Sequence, residues 1–232
     1  MDRKAFSLLH AMEDSWWYRG RARVIARALS RIHTAQGRVL DLGAGYGGMF
    51  ATLKRHATQV EGTEPDEEPR QQARVRGYAR MYADLSETQP PYNLIALFDV
   101  LEHVEDDHAL LLQLHTMLEK DGYLTLTIPA FQWLWSEHDV AHHHFRRYTA
   151  RSVRTALVGA GFEIVYLSYW NMTLFIPAAI VRLLGRSGAA SLTLLPILDR
   201  LFFSIVYSES LVLPWLSLPF GTGIVVVARK KL

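Results

Sequence analysis

The chain of 232 residues contains no cysteine. That absence excludes a disulfide framework, thiolate catalysis and any cysteine-based metal site, and it suits an intracellular, cytoplasmic setting. Runs of five or six like charges are also missing, and the formal net charge is only +2, so no electrostatic footprint for nucleic acid is present. The start, Met1-Asp2-Arg3-Lys4, is not followed by the apolar core of a signal peptide, because Glu13 and Asp14 interrupt too early. No stretch supplies about 20 uninterrupted apolar residues, which argues against a membrane span. Half of the residues are nonetheless hydrophobic, ample for the core of one α/β domain with an appended element.

The segment Val39-Leu40-Asp41-Leu42-Gly43-Ala44-Gly45-Tyr46-Gly47-Gly48 is an apolar run that stops at an acid and opens into glycines. It reads as a buried parallel strand, a tight loop in which glycine permits positive φ and close approach to a ligand, and a helix from near Gly48. Gln59 to Pro65 gives a second strand ending on Glu64, with Glu61 as the competing acid. Glu64 lies about 20 residues beyond the glycine loop, the spacing of the ribose-binding acid in nucleotide-binding βαβ units. A solvated helix from Asp66, broken at Gly77, leads to a third strand at Arg80–Leu85 with Asp84 near its end. Tyr92–Asp99 reads as a fourth, fully buried strand followed by Val100-Leu101-Glu102-His103-Val104. A helix over Asp106–Glu119 and a fifth strand over Tyr123–Pro129 complete five alternations of strand and helix, the pattern of a doubly wound sheet.

The glycine spacing with Asp41 ahead of it differs from the dinucleotide pattern and resembles motif I of class I S-adenosylmethionine-dependent methyltransferases. The stretch after the fourth strand resembles that family's corresponding motif, and His144-Phe145-Arg146-Arg147-Tyr148-Thr149 with Ala160-Gly161-Phe162 resembles one bacterial subset. The resemblance covers about residues 15 to 170. It implies a doubly wound, mostly parallel seven-stranded sheet, S-adenosylmethionine as cofactor and S-adenosylhomocysteine as product. By the same resemblance, Asp41, Gly43, Ala44, Gly45, Gly47, Glu64, Pro65, Asp84, Leu85, Asp99 and Val100 line the cofactor site. Glu64 would take the ribose hydroxyls, and Asp84 the adenine amino group.

Four regions follow: a helical N-terminal lid over 1–36, split near Gly20; the core over 37–170; an apolar insertion over 171–222; and a last strand with a basic tail over 223–232. The lid contains Trp16-Trp17-Tyr18-Arg19-Gly20-Arg21. The polar, aromatic and histidine-rich stretch from Phe131 to Thr149 fits no helix or strand period and lies where the family places substrate and base. His144, His143 and His103 are the candidate bases, since neutral imidazole accepts a proton near pH 7. Asp99, Glu102 and His103, completed by His143, resemble the cluster that holds a divalent ion in some O-methyltransferases, although the reading requires no metal. The expected reaction is methyl transfer to an oxygen or nitrogen of a small-molecule acceptor. Apolar residues of the insertion point to a hydrophobic or lipid-linked acceptor. Arg182, Arg186 and Arg200 there suit phosphate, carboxylate or an anionic membrane surface, and a homodimer interface is the other use for these helices. The alternative class is a non-catalytic cofactor-binding regulator or scaffold with the same fold.

Overall fold

The computed structural model describes residues 14–32, 37–183 and 196–231. The expectations over 1–13 and for Arg186 therefore lie outside the described residues. In chain order the elements are α1 (Trp16–Leu29), β1 (Gly37–Leu42), α2 (Phe50–Leu53), β2 (Ala57–Thr63), α3 (Glu67–Arg76), β3 (Arg80–Tyr82), β4 (Tyr92–Phe98) and α4 (Asp107–Met117). There follow β5 (Leu118–Pro129), α5 (Glu137–Ala141), α6 (Ala150–Gly159), β6 (Phe162–Trp170), α7 (Phe175–Leu183), α8 (Pro196–Val212) and β7 (Gly223–Lys230).

The strands form one seven-stranded sheet, as expected of the doubly wound class, and their order is β3-β2-β1-β4-β5-β7-β6. β1 to β5 run parallel, while β7 inserts antiparallel between β5 and β6. Strands covered on both faces read as unbroken apolar runs. Leu94 to Leu97 and Ile224 to Ala228 accordingly have no solvent exposure. The strand order reverses between β1 and β4, so their carboxyl ends open the crevice where such sheets hold ligands.

Several boundaries differ from the sequence expectation. α1 runs through Gly20 without a break, because Gly20 is the contact point with α8: a Cβ there would stand 2.7 Å from Val206 Cγ1. β5 begins at Leu118, earlier than Tyr123. Leu118 pairs with Tyr92, and residues between the two registers bulge where Asp121 takes φ 60°. Arg229 and Lys230 belong to β7 and are not a solvated tail; Arg229 pairs with Glu163 at 2.7 Å and Lys230 Nζ donates to the Leu118 carbonyl at 2.7 Å.

The insertion divides into two helices with different partners. α8 lies along α1, where Asp199 accepts hydrogen bonds from the Trp16 backbone N–H and from Arg19, and Phe202 meets the Trp16 ring edge-on at 5.4 Å. α7 instead packs over the turn at Gln132–Leu134. Glu209 of α8 ties the two together, its Oε2 accepting the backbone N–H groups of Met172 and Thr173 at 2.8 and 3.1 Å. No helix among the described residues is long and apolar enough to cross a membrane.

Candidate active site

The loop after β1 carries Gly43, Gly45 and Gly47, all with positive φ, which only glycine adopts without strain. It is pinned to the end of β2. Gly43 N–H donates to Thr63 Oγ1 (3.2 Å), Ala44 N–H to the Thr63 carbonyl (2.9 Å) and Gly45 N–H to Glu64 Oε2 (3.0 Å). The other oxygen of Glu64 accepts the Asp66 N–H at 3.0 Å. Each carboxylate oxygen keeps one acceptor position for a ligand hydroxyl. Burial raises the Glu64 carboxyl above its ordinary pKa.

Glu61, the competing acid, sits mid-strand and is fully buried, bound by Arg38, Gln59, Tyr82 and Tyr92, which removes it from the crevice. Pro65 follows Glu64 at the surface, its carbonyl accepting from Arg70 at 2.8 Å. Asp84 is exposed; one of its oxygens caps the turn Leu85–Glu87 by accepting Ser86 N–H (2.8 Å) and Oγ–H (2.6 Å). Leu85 packs against the core below it.

Asp41 is buried beneath the glycine loop, and Tyr78 donates to it at 2.5 Å. Burial is the largest influence on its carboxyl, which rises to about 7 against the opposing effects of Tyr78 and Arg21. The folded state therefore binds a proton that the unfolded chain releases near pH 4, so stability is fully present below that pH and is lost as pH rises through 7. Thermal melts of the cofactor-free protein should fall between pH 5 and pH 8. Asp41→Asn, which keeps an acceptor for Tyr78, should flatten that decline, a difference on the order of a few kcal/mol. Parallel pH curves for the two proteins would refute the assignment.

The chain leaves β4 at Asp99 with φ 59°, and Asp99 N–H donates to the Thr127 carbonyl at 2.9 Å. This brings Val100 against the loop: a Cβ on Gly43 would stand 2.7 Å from Val100 Cγ2. Asp99 forms an ion pair with Arg21 and accepts from Thr127 Oγ1 at 3.2 Å. Arg21 is the contribution of α1. Its guanidinium is buried, lies over the rings of Trp17 and Tyr18 at 4.7 and 4.8 Å, and leaves Nε without a partner. Sequence reasoning placed Arg21 in a lid but not beside Asp99, since the two are far apart along the chain.

Beyond Asp99 lies a histidine cluster. Glu102 is buried, with Oε2 unpartnered; burial first and the Asp99 charge second raise its carboxyl well above the ordinary value. His103 and His144 stand edge to face at 4.6 Å. Burial, then the neighbouring His144, pushes His103 down to about 4. His144 Nδ1 lies 2.9 Å from Asp139 Oδ1, and Arg147 grips Asp139 with two hydrogen bonds of 2.8 Å. Burial opposes the Asp139 charge, but the bonds from His144 and Arg147 outweigh it and hold the carboxyl well below the usual carboxylate range.

The stretch expected to lack regular structure holds this arrangement with a 3-10 turn at Gln132–Leu134 and the short helix α5, whose first turn is a capping box between Ser136 and Asp139. His143 does not enter the site. It takes φ 56° and is exposed, whereas the imidazoles on either side of it, His142 and His144, turn inward. Among the described residues the group whose donor atoms converge closely enough to hold an ion is Glu102, His103 and His144, all within 4.8 Å of one another, and it includes neither Asp99 nor His143. Carboxylate with imidazoles suits a divalent ion such as zinc or manganese. Asp139 and Arg147 were missed as site residues. The Ser136-x-x-Asp139 spacing was legible, whereas the salt bridge to Arg147 forms only in the fold.

The model for the family described as "Methyltransferase domain" matches residues 16–167, well over half of the chain. No curated protein matches the sequence. Among solved structures, magnesium protoporphyrin IX methyltransferase from Synechocystis PCC 6803, solved with bound S-adenosylhomocysteine, superposes with a TM-score of 0.63. It is 13% identical, with 99% of this chain and 96% of that one covered. A Haloferax volcanii methyltransferase in complex with the Trm112 activator is 18% identical, with a TM-score of 0.62 over 96% of this chain and 92% of the other. An S-adenosylmethionine-dependent methyltransferase of Archaeoglobus fulgidus is 15% identical at a TM-score of 0.62, covering 96% and 99%. With its strand order, its glycine loop pinned by Glu64 and this match, the chain belongs to the methyltransferase-domain family and is a class I S-adenosylmethionine-dependent methyltransferase.

Proposed function

We propose that this methyltransferase acts on an oxygen or nitrogen of a small-molecule acceptor with an apolar portion, lipid-linked compounds included, and that His144 is the general base. The observation that carries the reading is the His144 imidazole, held through Nδ1 by the Arg147-bound Asp139 and placed beside His103 and Glu102. The cofactor, when bound, supplies an electrophilic methyl on a sulfonium. The chain's own residues orient and deprotonate. Glu64 and the glycine loop would hold the ribose and methionine ends, with Pro65, Asp84, Leu85, Asp99 and Val100 flanking them. Asp139 fixes His144 so that Nε2 takes the acceptor proton as the new bond forms, and positioning accounts for much of the acceleration. His103, pushed to a neutral imidazole, lines the same wall.

The aromatic rings of Phe131, Trp133, Phe175 and Phe220 support the apolar part of the reading, since they meet within 6 Å of one another in series and Trp133 remains half exposed. A metal-assisted variant is favoured by one observation, the convergence of Glu102, His103 and His144. Incubation with S-adenosylmethionine and a panel of apolar and polar hydroxyl and amine acceptors, read by mass spectrometry, tests both. The expected result is S-adenosylhomocysteine formation and a one-methyl mass gain on apolar acceptors, undiminished after chelator treatment. Turnover of polar acceptors alone would overturn the apolar assignment, and activity lost with chelator and restored by a divalent ion would establish the metal variant. Cofactor binding without turnover of any acceptor would favour the regulator or scaffold alternative.

A further inference from the structure

α7 places Phe175, Ala179 and Arg182 at positions i, i+4 and i+7, which share one helix face. Phe175 from this face meets Phe131 and Trp133 at 5.7 Å each, and Ala179 is buried, so the face is turned toward the loop that carries the histidine cluster. Arg182 follows it inward. Its Nη1 is shielded from solvent and has no hydrogen-bond partner among the described residues. The charges that act on it are those of Arg147 and Asp139, and burial, then Arg147, pushes its guanidinium down to about 10.

Asp139 acts on it through charge alone, because its acceptor positions are engaged. Oδ1 already accepts from His144 and Arg147 Nε, and Oδ2 from Arg147 Nη2 and the Ser136 N–H. The nearest imidazole is no help either: burial, then His142 and Arg182, drives His138 down to about 3 and leaves it neutral. A guanidinium nitrogen shielded from solvent and without a partner among the described residues is costly, and the groups that match the planar fork are carboxylate and phosphate. The rest of the wall is aromatic, with Phe131 stacked on Tyr169 at 5.1 Å and the Trp133 ring open to solvent.

We propose that the methyl acceptor carries an anionic group, a carboxylate or a phosphate, joined to an apolar portion, and that Arg182 receives the anion while the aromatic rings receive the apolar part. The proposal rests on the methyltransferase reading and deepens it by naming the acceptor's chemistry. It also explains the insertion, in which α7 carries the recognition residue and α8 braces it through Glu209.

The test uses the full chain saturated with S-adenosylhomocysteine. Calorimetry compares naphthyl phosphate and naphthoate with the neutral naphthamide, and with inorganic phosphate alone. Both aromatic anions should bind at least about tenfold more tightly than the amide, the span of one charged hydrogen-bonded contact. Inorganic phosphate should bind more weakly than naphthyl phosphate. Arg182→Gln should erase the preference for anion over amide while leaving S-adenosylhomocysteine affinity and thermal stability unchanged, or stability raised. Arg182→Lys, which keeps the charge without the fork, should retain part of it. Equal affinity of the wild type for anion and amide, inorganic phosphate binding as tightly as naphthyl phosphate, or a selective Arg182→Gln variant would each overturn the proposal. An Arg182→Gln protein that fails to fold would make Arg182 a structural residue and overturn it too. Failure of the wild type to bind S-adenosylhomocysteine would instead break the methyltransferase reading beneath it.

Discussion

Glu64→Ala should weaken S-adenosylmethionine binding by about 100-fold or more while the protein keeps its fold. Two losses combine. The carboxylate anchors the glycine loop through the Gly45 N–H at 3.0 Å, and in the proposed reading its remaining acceptor positions would take the ribose hydroxyls. Charge-assisted hydrogen bonds contribute roughly 1.5 to 3 kcal/mol each, so losing two accounts for the size of the effect. The fold should tolerate the change because burial already disfavours the Glu64 charge, and its removal relieves that cost. Glu64→Gln, which retains one acceptor oxygen, should fall between. Gly45→Val should have an effect of the same order, since the residue sits at φ 54° where a β-branched side chain is strained and would intrude on the loop. Calorimetry decides the matter, and undiminished affinity in both Glu64→Ala and Gly45→Val would remove the ribose and loop assignments together.

His144→Ala should lower kcat by about 10²- to 10⁴-fold with the KM for S-adenosylmethionine unchanged, the range expected for loss of a general base. The split between the two constants matters because His144 does not touch the glycine loop. Its hydrogen-bond partner is Asp139, and its neighbour is His103. His143→Ala should leave the rate within a few-fold of the wild type, because that imidazole is exposed on the other side of the turn. Asp139→Asn is a poorer probe, since it breaks the buried pair with Arg147 and would cost the fold several kcal/mol. Steady-state kinetics of the two histidine variants, with circular dichroism to verify folding, provide the comparison. Equal rates for His144→Ala and the wild type would leave the reaction without an identified base.

The placement of the residues proposed for the cofactor was far more legible than that of the residues proposed for the acceptor. Glycine loop, Glu64 and Asp99 all stand within a few residues of a strand end, so strand periodicity and local turn chemistry locate them. Glu61 and Glu64 shared one stretch, and burial of Glu61 among Arg38, Tyr82 and Tyr92 is what separates them. On the acceptor side, local rules failed for a physical reason. The Phe131–Thr149 stretch is organised by the Asp139–Arg147 pair and by the Phe145 N–H donating to the Glu102 carbonyl at 2.7 Å, contacts that no sequence period encodes. Gly20 misled for the same kind of reason: glycine commonly marks a break, yet here it lets α8 approach α1 at Val206.

By itself the sequence determined the class of protein. An apolar strand, an acid and a glycine loop, repeated strand and helix alternation and a family-like stretch after the fourth strand depend on residues close together, whose backbone preferences act before any long-range packing. Tertiary structure alone decided that His144 meets Asp139 while His143 stays exposed, that Arg21 meets Asp99, and that α7 brings Arg182 to the histidine loop while α8 packs elsewhere. Those outcomes depend on contacts between segments separated by many residues, where the side of a turn or the face of a helix that turns inward is set by the packing of the whole domain.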